Sequence, residues 1–182
     1  MGQWTLDSTH LDIGFSVRHM MVSNVKGRFT AANADIQIDE EHPERSSLLA
    51  EIETASIDTR QTDRDAHLRS ADFFNAEAFP LMTFRSTSVH RAGEREFTID
   101  GDLTIRDVTK PLTLRGVIDG PMTDPYGNRR AGVEVTGEID REAWGLGWNM
   151  ALEAGGVVVG KTVKLAIEGE IIEQAAVPAS VA

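Results

Sequence analysis

The chain has 182 residues, enough for one domain with a sizeable core, and its 41% hydrophobic and 26% charged composition is that of a globular protein. It has no cysteine, which excludes disulfides, thiol chemistry and cysteine metal centres. With 29 acids against 18 bases the formal net charge is -11, so neither nucleic acid nor an anionic membrane surface is an expected partner, and no stretch approaches the ~20 apolar residues of a membrane-spanning helix.

The N-terminus, Met1 to Asp7, has no basic stretch leading into an apolar run, as a secretory signal would, and the expected location is the cytoplasm. Period-2 alternation then takes over. Ile13, Phe15 and Val17 alternate with Asp12, Ser16 and Arg18, the pattern of a half-buried strand. Val25, Gly27, Phe29 and Ala31 continue it, and a slip in phase near Ala32-Asn33, before Ile36 and Ile38, suggests a bulge. A short helix is expected over Glu40 to Ser47, followed by alternation at Ala50 and Ile52.

Thr59 to Phe74 breaks the pattern. It is rich in charge and helix formers, and a helix is expected from Thr62 to Ser70, with Thr62 as N-cap and Asp63 and Asp65 in the first turn. Alternation returns at Met82, Phe84 and Ser86, and again from Phe97 through Ile99, Gly101 and Leu103 to Ile105. Leu112 and Leu114, then Val133 to Ile139, then Val163 to Ile171 complete about eight strands. Ala92-Gly93-Glu94, Asp107 to Pro111 and Asp124 to Asn128 read as turns. Residues 1–174 are expected to form a single domain, and 175–182 a flexible tail.

One side of every strand is apolar and the other charged. An up-and-down barrel fits this pattern and removes exposed strand edges, while a two-sheet sandwich fits the periodicity equally well.

Gly155 to Thr162 spells G-x-x-x-x-G-K-T, the letters of a phosphate-binding loop. Such a loop needs a helix after the Thr, so that the helix N-terminus faces the phosphates. Here the chain continues as a strand, and three successive valines resist the tight turn. Gly145-Leu146-Gly147 fails the dinucleotide fingerprint because Met150 stands at its last glycine. Asp63 and His67 share a helix face at i, i+4, a spacing that offers two metal ligands but more commonly a surface ion pair. No nucleophile elbow or paired carboxylates stand out, and no metal or cofactor is expected.

The aromatic residues are more informative. Phe15, Phe29, Phe84 and Phe97 share the apolar phase, Phe73, Phe74 and Phe79 follow the helix, and Trp144 and Trp148 follow a strand end. Core packing accounts for most of them. An eight-stranded barrel interior, however, either fills with side chains or holds one ligand. Glycines 27, 101, 137 and 169 lie on the inward phase; they either leave space for a cavity or mark barrel corners.

These residues resemble the YceI-like family of lipocalin-like, polyisoprenoid-binding proteins. The resemblance runs from Trp4 to Glu173. It rests on Trp4 to Asp7 with His10, Phe15 to Met20, Val25 to Phe29, Ser56 to Thr59, Arg64 to Ser70, Asp72 to Asn75, Phe79-Pro80 and Thr83 to Ser86. Gly101 to Ile105, Val108 to Pro111 and Ile139 to Arg141 with Trp144-Gly145 extend it. Asp12, close behind His10, departs from the smaller polar residues common in relatives. The resemblance implies an eight-stranded antiparallel lipocalin-like barrel, a long isoprenoid or similar amphiphile threaded through it, no catalytic mechanism, and homodimers as common.

The expected ligand is therefore a long-chain amphiphile: a polyisoprenoid, an isoprenoid quinone or a fatty-acid-like lipid. An enzyme acting on such a lipid at the barrel mouth, through His19, Asp63 or His67, is the alternative. Expected wall residues are Ile13, Phe15, Val17, His19, Phe29, Met82, Phe84, Leu103, Ile105, Leu114, Val135 and Ile139, with Phe73, Phe74, Trp144 and Trp148 beyond the strands. A polar head cannot sit among apolar side chains, because an unpaired buried polar group costs roughly 1–3 kcal/mol. Arg64 and His67, with Arg18 and His19, are the expected donors for it, and Asp63 and Asp65 beside Arg64 favour a neutral or singly charged head over a pyrophosphate.

Calorimetry with ATP-Mg or GTP-Mg at millimolar concentration is expected to show no binding. Micromolar affinity abolished by Lys161→Ala would mean that the phosphate-loop letters are functional.

Overall fold

The computed structural model describes residues 1–153 and 155–174, so the expected tail at 175–182 lies outside the described residues. Ten strands form one antiparallel sheet: β1 (Gly2–His19), β2 (Ser23–Phe29), β3 (Ala32–Ile38), β4 (Ser47–Glu53), β5 (Ile57–Asp58), β6 (Leu81–Arg91), β7 (Glu96–Ile105), β8 (Val108–Thr123), β9 (Arg129–Asp140) and β10 (Val159–Glu173). The α-helix α1 (Thr62–Arg69) stands between β5 and β6.

The sheet closes on itself. β1 pairs with β10 from Trp4↔Glu173 to His19↔Val159, and the ring continues through β9, β8, β7, β6, β4 and β3 back to β1. β2 and β3 share one place in it. β2 pairs with Ile13–His19 of β1, whereas the end of β3 pairs with Gly2–Trp4. The result is an eight-stranded antiparallel barrel, and closure excludes the sandwich.

Several local expectations are corrected. The first strand begins at Gly2, ten residues before Asp12. The bulge expected near Ala32-Asn33 is a strand boundary instead: β2 ends at Phe29, Ala32 and Asn33 begin β3 in regular pairing with Ile52 and Glu51 of β4, and Thr30 N–H donates to Ser56 O at 3.2 Å. The true irregularity is in β1, where five steps from Leu6 to Leu11 match two steps on β10, from Ile171 to Gly169. Asp7 inside that bulge accepts from Thr9 N–H at 3.0 Å and from Arg130 at 2.6 Å. Arg130 also binds Asp124 at 2.8 Å, and these contacts hold both carboxyls well below the usual carboxylate range, Asp7 chiefly through Thr9 and Asp124 chiefly through Arg130.

The helix starts at Thr62 as expected and ends one residue earlier, at Arg69. Gln61, not Thr62, is the N-cap, its side chain accepting from Arg64 N–H. The helix expected over Glu40 to Ser47 shrinks to a single 3-10 turn at Pro43–Arg45. The turn expected over Asp107 to Pro111 is tighter, because Ile105 pairs with Val108 and Arg106 takes a φ of 57°. Asp124 nucleates the β8–β9 hairpin, accepting from the N–H groups of Tyr126 and Asn128 at 2.9 Å each.

The inward glycines do not open the cavity. Gly27 stands directly opposite Phe15, and a Cβ there would lie 2.4 Å from the Phe15 ring. A Cβ at Gly101 would lie 2.5 Å from the Phe84 ring, and one at Gly137 2.6 Å from Leu114. Large side chains therefore lie flat across glycines on neighbouring strands, which bends the sheet inward without filling its centre. Gly27→Val is expected to lower the unfolding free energy by about 1–3 kcal/mol by overpacking. In a Phe15→Leu background the penalty should shrink, measured as a double-mutant cycle by urea denaturation.

Candidate functional site

The inward phases of the strands converge on one cavity of about 360 Å³, within the roughly 300–1,000 Å³ range of small-molecule sites. Its wall runs the length of the barrel. On β10 alone it includes Val159, Val163, Leu165, Ile167 and Ile171, about 40 Å of strand at ~3.3 Å per residue. At one end the lining reaches Ile36, Ile38 and Ile118, beside a small cluster around the buried Trp4, Ala131 and Ile171. At the other it reaches Leu68, Phe73, Phe74 and Leu146. Side chains at 36 and at 146 thus bound one long, narrow, almost wholly apolar space.

Of the residues expected on the wall, the structure places Ile13, Phe15, Val17, Phe29, Phe73, Phe74, Met82, Phe84, Leu103, Ile105, Leu114, Val135 and Ile139 there. The other three, His19, Trp144 and Trp148, lie elsewhere, as do the expected head-group donors Arg64 and His67. His19 leaves the inward phase because the β1–β10 register shifts after Val17, and it is only half-buried. Trp144 is buried behind the wall and donates through Nε1 to Leu103 O at 3.0 Å. Trp148 packs edge-on against His67, ring centroids 4.6 Å apart, and 5.5 Å from Phe73. His67 Nε2 meets Asp72 at 2.9 Å, so the partner expected at Asp63 is displaced by one beyond the helix.

Arg64 is committed to local structure. Its Nε donates to Thr59 Oγ1 at 2.7 Å and an NH2 group to Thr59 O at 2.8 Å, while buried Asp65 accepts from Thr59 N–H at 2.9 Å. Arg69 donates to Ala55 O and Ile57 O at 2.8 and 2.9 Å. The charged helix therefore clasps the end of the barrel and presents neither Arg64 nor His67 to the cavity.

One charged side chain does reach the wall, and the alternation pattern could not reveal it. Arg141 is 3% exposed. Its donors go to four backbone carbonyls: Gly160 O at 2.8 Å, Trp148 O at 3.1 Å, Val159 O at 3.2 Å, and Leu146 O. Burial pushes its pKa below the ordinary arginine value, with Glu142 and Asp140 opposing, and the guanidinium stays charged at neutral pH. Among the described residues it forms no ion pair; Lys161, not Arg141, takes Glu142, at 2.8 Å. Arg141 thus ties the 146–148 segment to the start of β10.

The wall holds no other titratable side chain among the described residues. Outside the barrel, Asp7, His10 and Glu170 offer ligand atoms within 4.8 Å of one another, but Arg130 binds Asp7 at 2.6 Å and Glu170 at 3.1 Å and already supplies the cation. Of the phosphate-loop letters, Gly155 and Gly156 take positive φ, Val157 is bridged back to Ala151, and Val159 to Thr162 are already the start of β10.

A model of the YceI-like domain matches residues 4–171. A UPF0312 protein of Staphylococcus epidermidis is 40% identical over 173 residues, covering 93% of this chain and 97% of that protein. The crystal structure of a Campylobacter jejuni YCEI protein is 30% identical, with a TM-score of 0.72 over 96% of this chain and 100% of that one. A polyisoprenoid binding domain from Saccharophagus degradans shares the fold at 13% identity, with a TM-score of 0.70 over 96% of this chain and 100% of that one.

Arg141→Met should leave four carbonyls without their donor, each orphaned buried group costing about 1–3 kcal/mol unless water reaches it. Limited proteolysis is expected to cut within 146–158 faster in the variant than in the parent protein, before cuts appear in β6 to β9.

Proposed function

Because this chain belongs to the YceI-like family, we propose that it binds a long-chain amphiphile with the tail inside the barrel, and so carries or sequesters it. The observation that carries this reading is the wall: apolar from end to end, with one buried guanidinium and no other titratable group among the described residues. Such a surface has no titratable acid or base besides Arg141 among the described residues, and its serines, Ser46 and Ser47, have no base beside them on the wall, which favours binding over the alternative of an enzyme. The polyisoprenoid-binding domain of the same fold supports a prenyl tail, and a polyisoprenoid, an isoprenoid quinone or a fatty-acid-like lipid fits the same wall. The head, neutral or singly charged, lies at the Arg141 end, where a buried positive charge lacks an anionic partner.

Each CH₂ removed from water contributes ~0.8 kcal/mol before the cost of ordering the ligand is subtracted. A flexible prenyl chain therefore gains affinity from length as long as the barrel can enclose it.

Mass spectrometry of an organic extract of the purified protein is expected to show a co-purifying amphiphile, unchanged on incubation. Leu103→Trp, which adds volume to a wall residue that is 8% exposed, should lower the amount bound several-fold while the far-ultraviolet circular dichroism stays that of the parent. Unchanged stoichiometry in that variant would count against an internal site.

A further inference from the structure

Eight large apolar side chains are exposed among the described residues, and four of them, Met20, Met21, Val22 and Met150, gather at one end of the barrel. Met20 N–H donates to Val158 O at 2.7 Å, Val158 N–H donates to Met150 O at 3.0 Å, and a Cβ on Gly156 would sit 3.1 Å from Met21 Cγ. The β1–β2 turn and the hairpin before β10 thus form one apolar tip. The tip continues the cavity wall, since Val17 and Val159, both on that wall, are three and one residues away from Met20 and Val158.

The strand halves that lead to the tip are basic, although the chain as a whole is acidic. Residues 13–19, 23–29 and 159–165, the strand halves that lead to it, carry Arg18, Lys26, Arg28, Lys161 and Lys164 and no acid. All five are exposed. The other halves of β1 and β10, residues 2–12 and 166–173, carry five acids and no Lys or Arg. Three of the cations face acids on adjoining elements: Arg28 meets Asp58 at 3.5 Å, Lys161 meets Glu142 at 2.8 Å with Asp140 opposite the neighbouring Thr162, and Lys164 stands opposite Glu138. Arg18 and Lys26 form no ion pair among the described residues, and Glu153 is the acid on the neighbouring hairpin.

We propose that this tip docks the barrel, cavity end first, onto a membrane surface carrying anionic headgroups. Met and Val at two turn tips present no groove for a protein segment, but they suit shallow burial among acyl chains, with a cationic collar at headgroup level. The net charge of -11 does not prevent this. Charges more than a Debye length away, about 8 Å at physiological salt, are largely screened, and the acidic halves of β1 and β10 lie several such lengths off along the strands. At the tip a headgroup would meet Arg18 and Lys26, which form no ion pair among the described residues, and not the acids that set the net charge. Contact at this end also brings the cavity to the phase in which an apolar cargo dissolves.

The test is co-sedimentation of the full chain with phosphatidylcholine vesicles, with and without phosphatidylglycerol, alongside size-exclusion chromatography and the ligand measurement above. The parent should bind the anionic vesicles about tenfold or more tightly than the neutral ones. Met21→Asp with Val22→Asp should abolish binding to both. Arg18→Gln with Lys26→Gln should remove the preference for anionic lipid, and Met21→Leu with Val22→Leu should restore parental behaviour, which controls for folding. The proposal is overturned if the parent ignores both vesicles or if the Asp variant binds as the parent does. It is also overturned if the Asp variant changes only the oligomeric state, since the tip is then an interface between copies. Loss of co-purified amphiphile with vesicle binding intact would count against the internal site and leave the docking tip standing.

Discussion

The pairing of β1 with β10 is the constraint on which the rest of the molecule depends. Every other neighbour in the sheet is a hairpin or a short step along the chain, whereas this pair joins residues about 150 apart in sequence, from Trp4↔Glu173 to His19↔Val159. Until it forms, the inward phase of each strand is one face of an open sheet exposed to water. Once it forms, the same apolar side chains enclose a single volume, and the edges that would pair with another chain are gone. The bulge at Asp7–His10 belongs to this closure, because it absorbs three extra residues of β1 against β10 and turns Asp7 toward Arg130.

Closure alone would permit either a filled core or a hollow. The choice is made by where the rings lie. Phe15 covers Gly27 and Phe84 covers Gly101, so two of the largest side chains lie along the wall instead of across the axis. They curve the sheet and line the space but do not occupy its centre. The inward glycines therefore accommodate neighbours, and the hollow owes its shape to rings laid against the sheet.

The two ends of the barrel differ in a way that bears on ligand traffic. At one end Trp4 is buried and Arg129 stacks over it at 5.7 Å, with Glu40 and Glu173 each 2.7 Å from the guanidinium. At the other, α1 is clasped to the barrel by Thr59, Asp65 and Arg69, and the 146–148 segment is held by Arg141, with Leu68, Phe73, Phe74 and Leu146 packed beneath them. The apolar tip and its cationic collar adjoin this second end.

The sequence by itself determined the strand content, the inward face of each strand and most of the wall, because side-chain direction in a strand follows a strict period of two and needs no partner to be read. It also determined that the phosphate-loop letters feed a strand. Only the tertiary structure decided that the sheet is a closed ring, that ten strands fill eight places, and that His19 leaves the wall at a register shift. Only it showed Arg64 and His67 turned to Thr59 and Asp72, and Arg141 lining the cavity. The physical reason is the same in each case. Apolar alternation is a local property of the backbone, whereas the partner that a charged side chain finds depends on which distant segments the closed barrel brings within hydrogen-bond reach.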